Sequence, residues 1–403
     1  MKLNNSKKLG ITLLLANAFV YIAFSLYNPF LSSYYSKAGL NALQIGTLLT
    51  IGPLFAIFIQ PFWAILSDKT GRRKDILSLL VVGSGISMLS FYIGHSFLTF
   101  LIAASLLAIF CTSIFPLNDA ITLRYANRYQ LDFSRIRMGG TIGFATFVVI
   151  AGAIIKQYPT LLFLMGFFGY FVLLIFIRIL PEDEKVSSSD TKEGTISVPL
   201  KEKKTGLLHI FESKQIYFML GFAFISQVGL SFNGCFIGVY MINLGLNESM
   251  IGIINCICAL SEIPVLFIIN RVLCKISTTK VIIFSSLLLG FRLFLITGGN
   301  IGFIIAAQAL QGLTYMTIYF SCAVFISKNV KPENQSKGQS ALTIVQTGFG
   351  SIVGNIAGGY FVDKFGLIIA YRFIAVIVII VSLLIGSLLL YYLRISKTRN
   401  AIS

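Results

Sequence analysis

The chain is laid out as apolar runs of about 20 residues with short polar breaks between them, and this constrains its fold more than any other feature. Lipid tolerates only structures that satisfy every backbone hydrogen bond internally, which leaves helices and closed barrels. Barrel strands would alternate apolar and polar residues; these runs do not. Helices are therefore predicted. Hydrophobic residues make up 56% of the 403 and charged residues 12%; mean hydropathy is +0.85. A water-soluble domain of this size would not show these values. The expected fold class is an all-α membrane protein with twelve transmembrane helices, at roughly 10–34, 43–66, 75–94, 98–126, 135–156, 160–180, 215–243, 248–270, 279–299, 300–327, 338–362 and 368–394. The first run, from Leu9, lacks a small-residue cleavage site and exceeds a signal-peptide core, so it is expected to be a retained helix.

One long polar segment interrupts the pattern. It contains Glu182-Asp183-Glu184-Lys185 and Ser187-Ser188-Ser189-Asp190, a composition that predicts a mobile linker. The expected division is an N-terminal six-helix bundle at 1–185, a cytoplasmic linker at 186–212 and a C-terminal six-helix bundle at 213–403. Weak internal repeats agree: Ile45-Gly46 opening the second span recurs as Ile251-Gly252 opening the eighth. Ridges of Gly139 and Gly143 in the fifth span, and of Gly350, Gly354 and Gly358 in the eleventh, predict close helix approach, either as fixed packing or as a sliding surface.

The net charge of +17 would suit a nucleic-acid partner only if the bases formed one patch. They lie instead in alternate loops, among them Lys7, Arg72, Arg128, Lys203, Lys275, Lys331 and Arg399. The opposite side carries only Lys37, Lys156, Lys364 and Arg372. This asymmetry excludes nucleic acid as the explanation and predicts both termini in the cytoplasm of a multi-pass cell-membrane protein. Six cysteines lie in apolar segments without metal-type spacing and are expected in the core; the two histidines, His95 and His209, fall in an outer loop and in the linker. No metal, cofactor or catalytic constellation is expected, and an enzyme is the least favoured class.

Between the second and third spans, residues 61–75 pack four bases and two acids into Asp68 to Asp75, with Gly71 for the turn. A tight hairpin with its charges at the bilayer surface would account for the composition alone. The order Ser-Asp-Lys-x-Gly-x-Arg-Lys also resembles the signature loop of the major facilitator superfamily. That resemblance implies two six-helix bundles around a central cavity, alternating access, and a gating role for Asp68, Gly71, Arg72 and Arg73.

A charge at the bilayer centre costs about 2.5–3.5 kcal/mol on insertion scales, so charges inside spans are functional candidates. Of the fifteen carboxylates, Asp119 and Glu262 lie well inside spans, along with the bases Arg137 and Arg292. Asp119 and Arg137 flank one loop at comparable depth and are expected to pair. The segment Phe133-Ser134-Arg135-Ile136-Arg137-Met138, with an acid at the matching distance before it, resembles the lactose permeases. This implies that Asp119 and Arg137 bind substrate and that Phe144 stands where those permeases stack a tryptophan on the sugar. Arg292 matches their ninth-span arginine, but the tenth span offers Gln311, Thr314 and Tyr315 and no acid. Ser261-Glu262-Ile263-Pro264 with Gly290-Phe291-Arg292 also looks like phenylpropionate-permease-like and nucleoside-symporter-like relatives, which implies proton coupling through Glu262 and Arg292. A locking role for these two in the C-terminal bundle is the alternative. Depth counting argues against a direct Glu262–Arg292 pair. Asn17, Tyr21, Tyr27, Asn28, Asn118, Gln227 and Asn233 are expected to face a cavity, with Asn28, Asn118 and Asn233 as further substrate ligands.

The reading that results is a secondary transporter importing a small polar organic solute such as a sugar, nucleoside or aromatic acid. It would be driven by protons, without a cofactor, and the protein would be a monomer in the bilayer. A drug:proton antiporter is the alternative; a non-transporting membrane receptor or assembly factor is a more remote one.

Overall fold

The computed structural model describes residues 2–180, 214–330 and 334–402, and every regular element among them is helical. The expected linker at 186–212 lies outside the described residues. Among the described residues, eleven helical segments are long and apolar enough to cross a membrane. The eleventh expected span, at 338–362, is the remaining one: residues 335–365 are helical too, but the first of them, QSKGQSALT, are polar.

Several spans are interrupted for reasons visible in their side chains. The first is α1 (Lys2–Ser25) followed by α2 (Leu31–Lys37), joined through a 3-10 turn at Asn28–Phe30. Pro29 in that turn has no N–H to continue the ladder. The second span, α3 (Ala42–Thr70), opens with an Asn41/Gln44 capping box and ends at Gly71, whose φ of 66° is left-handed. Next come α4 (Arg73–Leu89), α5 (Phe97–Cys111) and α6 (Ile114–Tyr129).

The sequence predicted one helix where α5 and α6 lie, and the structure breaks it. Pro116 cannot donate to the carbonyl four residues back, that of Thr112. Gln60 Nε2 donates to that oxygen instead, at 2.7 Å, and Trp63 Nε1 donates to Ile109 O at 2.9 Å. Side chains of α3 thus hold the break. The N-terminal half continues with α7 (Phe133–Gln157) and α8 (Leu162–Ile179).

In the C-terminal half, α9 (Lys214–Asn243), α10 (Glu248–Lys275) and α11 (Thr278–Ile296) are continuous. The tenth span is α12 (Ile301–Ala309) and α13 (Thr317–Asn329) on either side of a π-helical turn, Gly312–Met316. A second π turn, Ile344–Gly350, separates α14 (Gln335–Thr343) from α15 (Ser351–Phe365), and α16 (Leu367–Ile402) ends the described chain. Each π turn inserts an extra residue per turn, a device concentrated at functional sites.

The chain divides into two compact units, Met1–Glu193 with Ile237–Leu260, and Gly194–Phe236 with Ser261–Ser403. Within the first, α7 lies against α1. A Cβ on Gly143 would sit 3.1 Å from Ala18 O, and one on Gly140 would overlap the Tyr21 ring. Within the second, a Cβ on Gly354 would sit 2.5 Å from Val228 O and one on Gly350 2.7 Å from Gln227 Cβ. Both glycine ridges therefore serve fixed packing inside a unit. Cysteines depart from expectation: Cys235 and Cys322 are buried, Cys111, Cys256 and Cys258 half-buried, and Cys274 exposed near the end of α10.

Candidate transport site

The first unit brings Asp119 and Arg137 together, with Arg137 Nη1 donating to Asp119 Oδ2. Counted along the helices, Asp119 lies about 15 Å from the α6–α7 loop end of α6 and Arg137 about 6 Å from the start of α7, so the expected pair forms although the expected comparable depth does not hold. Neither is sealed: their side chains are 30% and 49% exposed. Next to Asp119, Asn118 is buried and its Nδ2 has no partner among the described residues. Asn17 is fully buried, and neither amide atom is partnered among those residues. Such groups are costly to bury unmatched. Phe144 and Asn28 are half-buried, and Tyr21 packs edge-on to Phe115 at 5.0 Å. Tyr27 turns inward, its hydroxyl 2.9 Å from that of Tyr170 and 3.4 Å from Cys111 Sγ. It belongs to the interior of the unit and not to an open surface.

The second unit holds the other two charges. Arg292 is fully buried; Nη1 donates to Thr314 Oγ1 at 3.0 Å and Nη2 donates to Gln308 Oε1. Half-buried Glu262 accepts a long hydrogen bond from Gln311 Nε2, at 3.5 Å. The acid and the base form no direct ion pair, as the depth count implied; each bonds instead to span ten, Glu262 to Gln311 and Arg292 to Thr314 and Gln308. Gln311 and Thr314 straddle the start of the π turn. Gly312 there approaches α10 so closely that a Cβ would collide with Ser261 O, and its N–H donates to Ser261 Oγ at 3.1 Å. A guanidinium keeps its charge even among neutral partners, so protonating Glu262 would leave this cluster with a net positive charge. Asn233 is buried and accepts from Tyr371 OH at 3.3 Å; Gln227 donates to Ser351 Oγ at 3.0 Å.

Sequence reasoning foresaw only the Asp119–Arg137 ion pair of the first unit and overlooked the others, of which one buries its carboxylate. Lys37, at the end of α2, reaches the buried Glu248 at the start of α10 at 2.5 Å. The two line a cavity of about 210 Å³ with Tyr34 and His95. Beside it, a Cβ on Gly152 would come within 2.5 Å of Glu248 O, and one on Gly252 within 2.5 Å of Val148 O. A signal existed: Lys37 is one of the few bases on the side that the positive-inside rule leaves poor in charge. In the signature loop, Asp68 accepts from Arg73 Nη2 at 2.9 Å, Gly71 caps α3, and Arg72 is exposed. Among the described residues no cluster of His, Cys, Asp or Glu is placed to hold a metal ion.

Helices of this length, broken spans and charges held inside them define a multi-pass membrane transporter. The chain belongs to the MFS_1 like family, which it matches over residues 11–373. It is 25% identical over 389 residues to the transporter YwbF of Bacillus subtilis (strain 168), covering 95% of this chain and 93% of the other. It is 21% identical to the maltose permease of Geobacillus stearothermophilus over 364 residues, 90% of each chain. Among solved structures it resembles a variant of the nucleoside transporter NupG, with a TM-score of 0.81 at 17% identity over 95% of this chain and 99% of that one. The fold is that of the major facilitator superfamily, and the protein is a solute transporter and not an enzyme.

Proposed function

We propose that the protein imports a small polyhydroxylated solute, of the sugar or nucleoside class, together with a proton. The observation that carries this reading is the Asp119–Arg137 pair: two charges inside spans, joined to each other yet still partly exposed. A pair that only locked two helices could be sealed between them, its remaining hydrogen-bonding atoms filled by protein groups to offset the desolvation cost. A pair left open offers a carboxylate and a guanidinium to adjacent hydroxyls, which is how a polar ring is gripped in a medium without water. Likeness to the maltose permease and the nucleoside transporter supports the same solute class.

In this reading Glu262 carries the proton and buried Arg292 senses its charge through Gln311 and Thr314. The proton gradient is the energy source, no cofactor takes part, and the monomer works by alternating access. The charge asymmetry of the loops supports a cell membrane with both termini in the cytoplasm.

The test is uptake of labelled maltose, sucrose, uridine and phenylpropionate into membrane vesicles with an imposed pH gradient. Accumulation of a sugar or nucleoside with an acid-outside gradient is expected. It should be absent in Asp119→Asn and Arg137→Ala vesicles carrying equal amounts of protein. Transport of none of these solutes, or unchanged substrate affinity in either variant, would overturn the assignment. Outward, poorly selective transport would establish an antiporter instead.

A further inference from the structure

A groove of about 350 Å³ runs along the surface of the second unit between α10, α11 and span ten. Its walls are apolar: Val265, Ile269 and Val272 from α10, Phe284 from α11, and Leu313 from the π turn. Phe284 and Leu313 are 64% and 44% exposed, so the groove opens outward from the unit. From Val265 to Ile276 it extends about 16 Å along α10. That is close to half of the roughly 30 Å hydrocarbon core, the depth of one leaflet.

One end of the groove is basic. Lys280 lines it directly, and Arg271 and Lys275 occupy the stripe of α10 beside Ile268, itself a wall residue. All three bases are exposed, and none has an ion-pair partner among the described residues. No acid occurs between Arg271 and Lys280. At the same end α11 begins, with Ser277 accepting from Lys280 N–H.

We propose that this groove is a binding site for an anionic phospholipid, its acyl chain along α10 and its phosphate among Arg271, Lys275 and Lys280. An apolar slot one leaflet deep fits a fatty chain, and three bases without an ion-pair partner among the described residues, at its polar end, favour an anionic headgroup over a zwitterionic one. In the proposed topology this is the cytoplasmic leaflet. The proposal concerns binding only, and stands or falls apart from the transport reading.

The test places a fluorescent reporter on the groove wall, Phe284→Trp, in the full chain reconstituted into bilayers. Quenching by phosphatidylglycerol with brominated chains is compared with quenching by brominated phosphatidylcholine at equal mole fraction. A base near an anionic lipid contributes about 1 kcal/mol, so a preference of about fivefold or more for phosphatidylglycerol is expected. It should vanish when Arg271→Gln, Lys275→Gln and Lys280→Gln are combined, all three being surface changes. Equal quenching by the two lipids would overturn the proposal, as would a preference that survives the triple substitution. Quenching of Trp63, measured with each lipid in the parent protein, is subtracted as background.

Discussion

Glu262 and Arg292 show what a single residue can do when its surroundings are dry. Arg292 donates to the neutral Thr314 and Gln308, and Glu262, the acid on the facing helix, is only half-buried. A carboxylate in that position is coupled electrostatically to the base without being tied to it, a state that a change in hydration can tip. Replacing Glu262 with Gln mimics the protonated acid. The variant is expected to lose accumulation against a gradient while retaining exchange of internal for external solute. If Glu262→Gln accumulates solute as well as the parent, the acid is structural and Asp119 is the next coupling site to examine. Of this cluster, the two charges were legible in the sequence because charges in apolar runs are rare. Gln311 and Thr314 stood out as polar residues of the tenth span and Gln308 did not, but which charge each meets was not legible: a glutamine or threonine in a span carries no sign of its neighbour until helices α10, α11 and α12–α13 are packed.

At the scale of elements, breaks in helices matter more than the helices. The π turn at Gly312–Met316 puts Gln311 toward Glu262 and Thr314 toward Arg292, while Gly312 itself lies against the α10 backbone. Gly312→Ala would force the helices apart at this point and is expected to cost about 1–3 kcal/mol by overpacking. Thermal unfolding in detergent should show the loss as a lower midpoint, and coupled uptake should fall with it. An unchanged midpoint would mean that the turn yields without effort. The break between α5 and α6 makes a complementary case. Pro116 was in the sequence, but a proline alone does not decide between a kink and a continuous helix; the donation by Gln60 and Trp63 does, and it depends on where α3 lies.

At the scale of the whole molecule, two ion pairs of the first unit can be tested for a conformational role. The Lys37–Glu248 pair buries a carboxylate, and Lys37→Ala would leave that charge unmatched. Because Lys37 itself is 44% exposed, the expected loss is about 1–2 kcal/mol, discounted for solvent screening. Lys37→Ala combined with Glu248→Gln should recover most of it. A single variant as stable as the parent would show that the pair contributes nothing. At the opposite end of the spans, Asp68→Asn removes the partner of Arg73 and is expected to slow turnover while leaving solute affinity unchanged. Equal turnover at equal expression would count against a gating role for the loop.

What the sequence by itself determined is whatever follows from the solvent and the covalent chain. Long apolar runs in a medium without hydrogen-bond partners must be helices, bases must collect on one side, and charges inside spans must be few and meaningful. Those constraints are local or one-dimensional, and pattern alone expresses them. Only the tertiary structure decided which side chains meet. It assigned the glycine ridges to packing within units, turned Tyr27 inward, paired Lys37 with Glu248, and routed Glu262 to Arg292 through a π turn. The physical reason is that in apolar surroundings almost every face of a helix is compatible with burial or with lipid. Hydrophobic periodicity then carries little information about orientation, and the choice passes to steric fit and to the matching of a few polar groups.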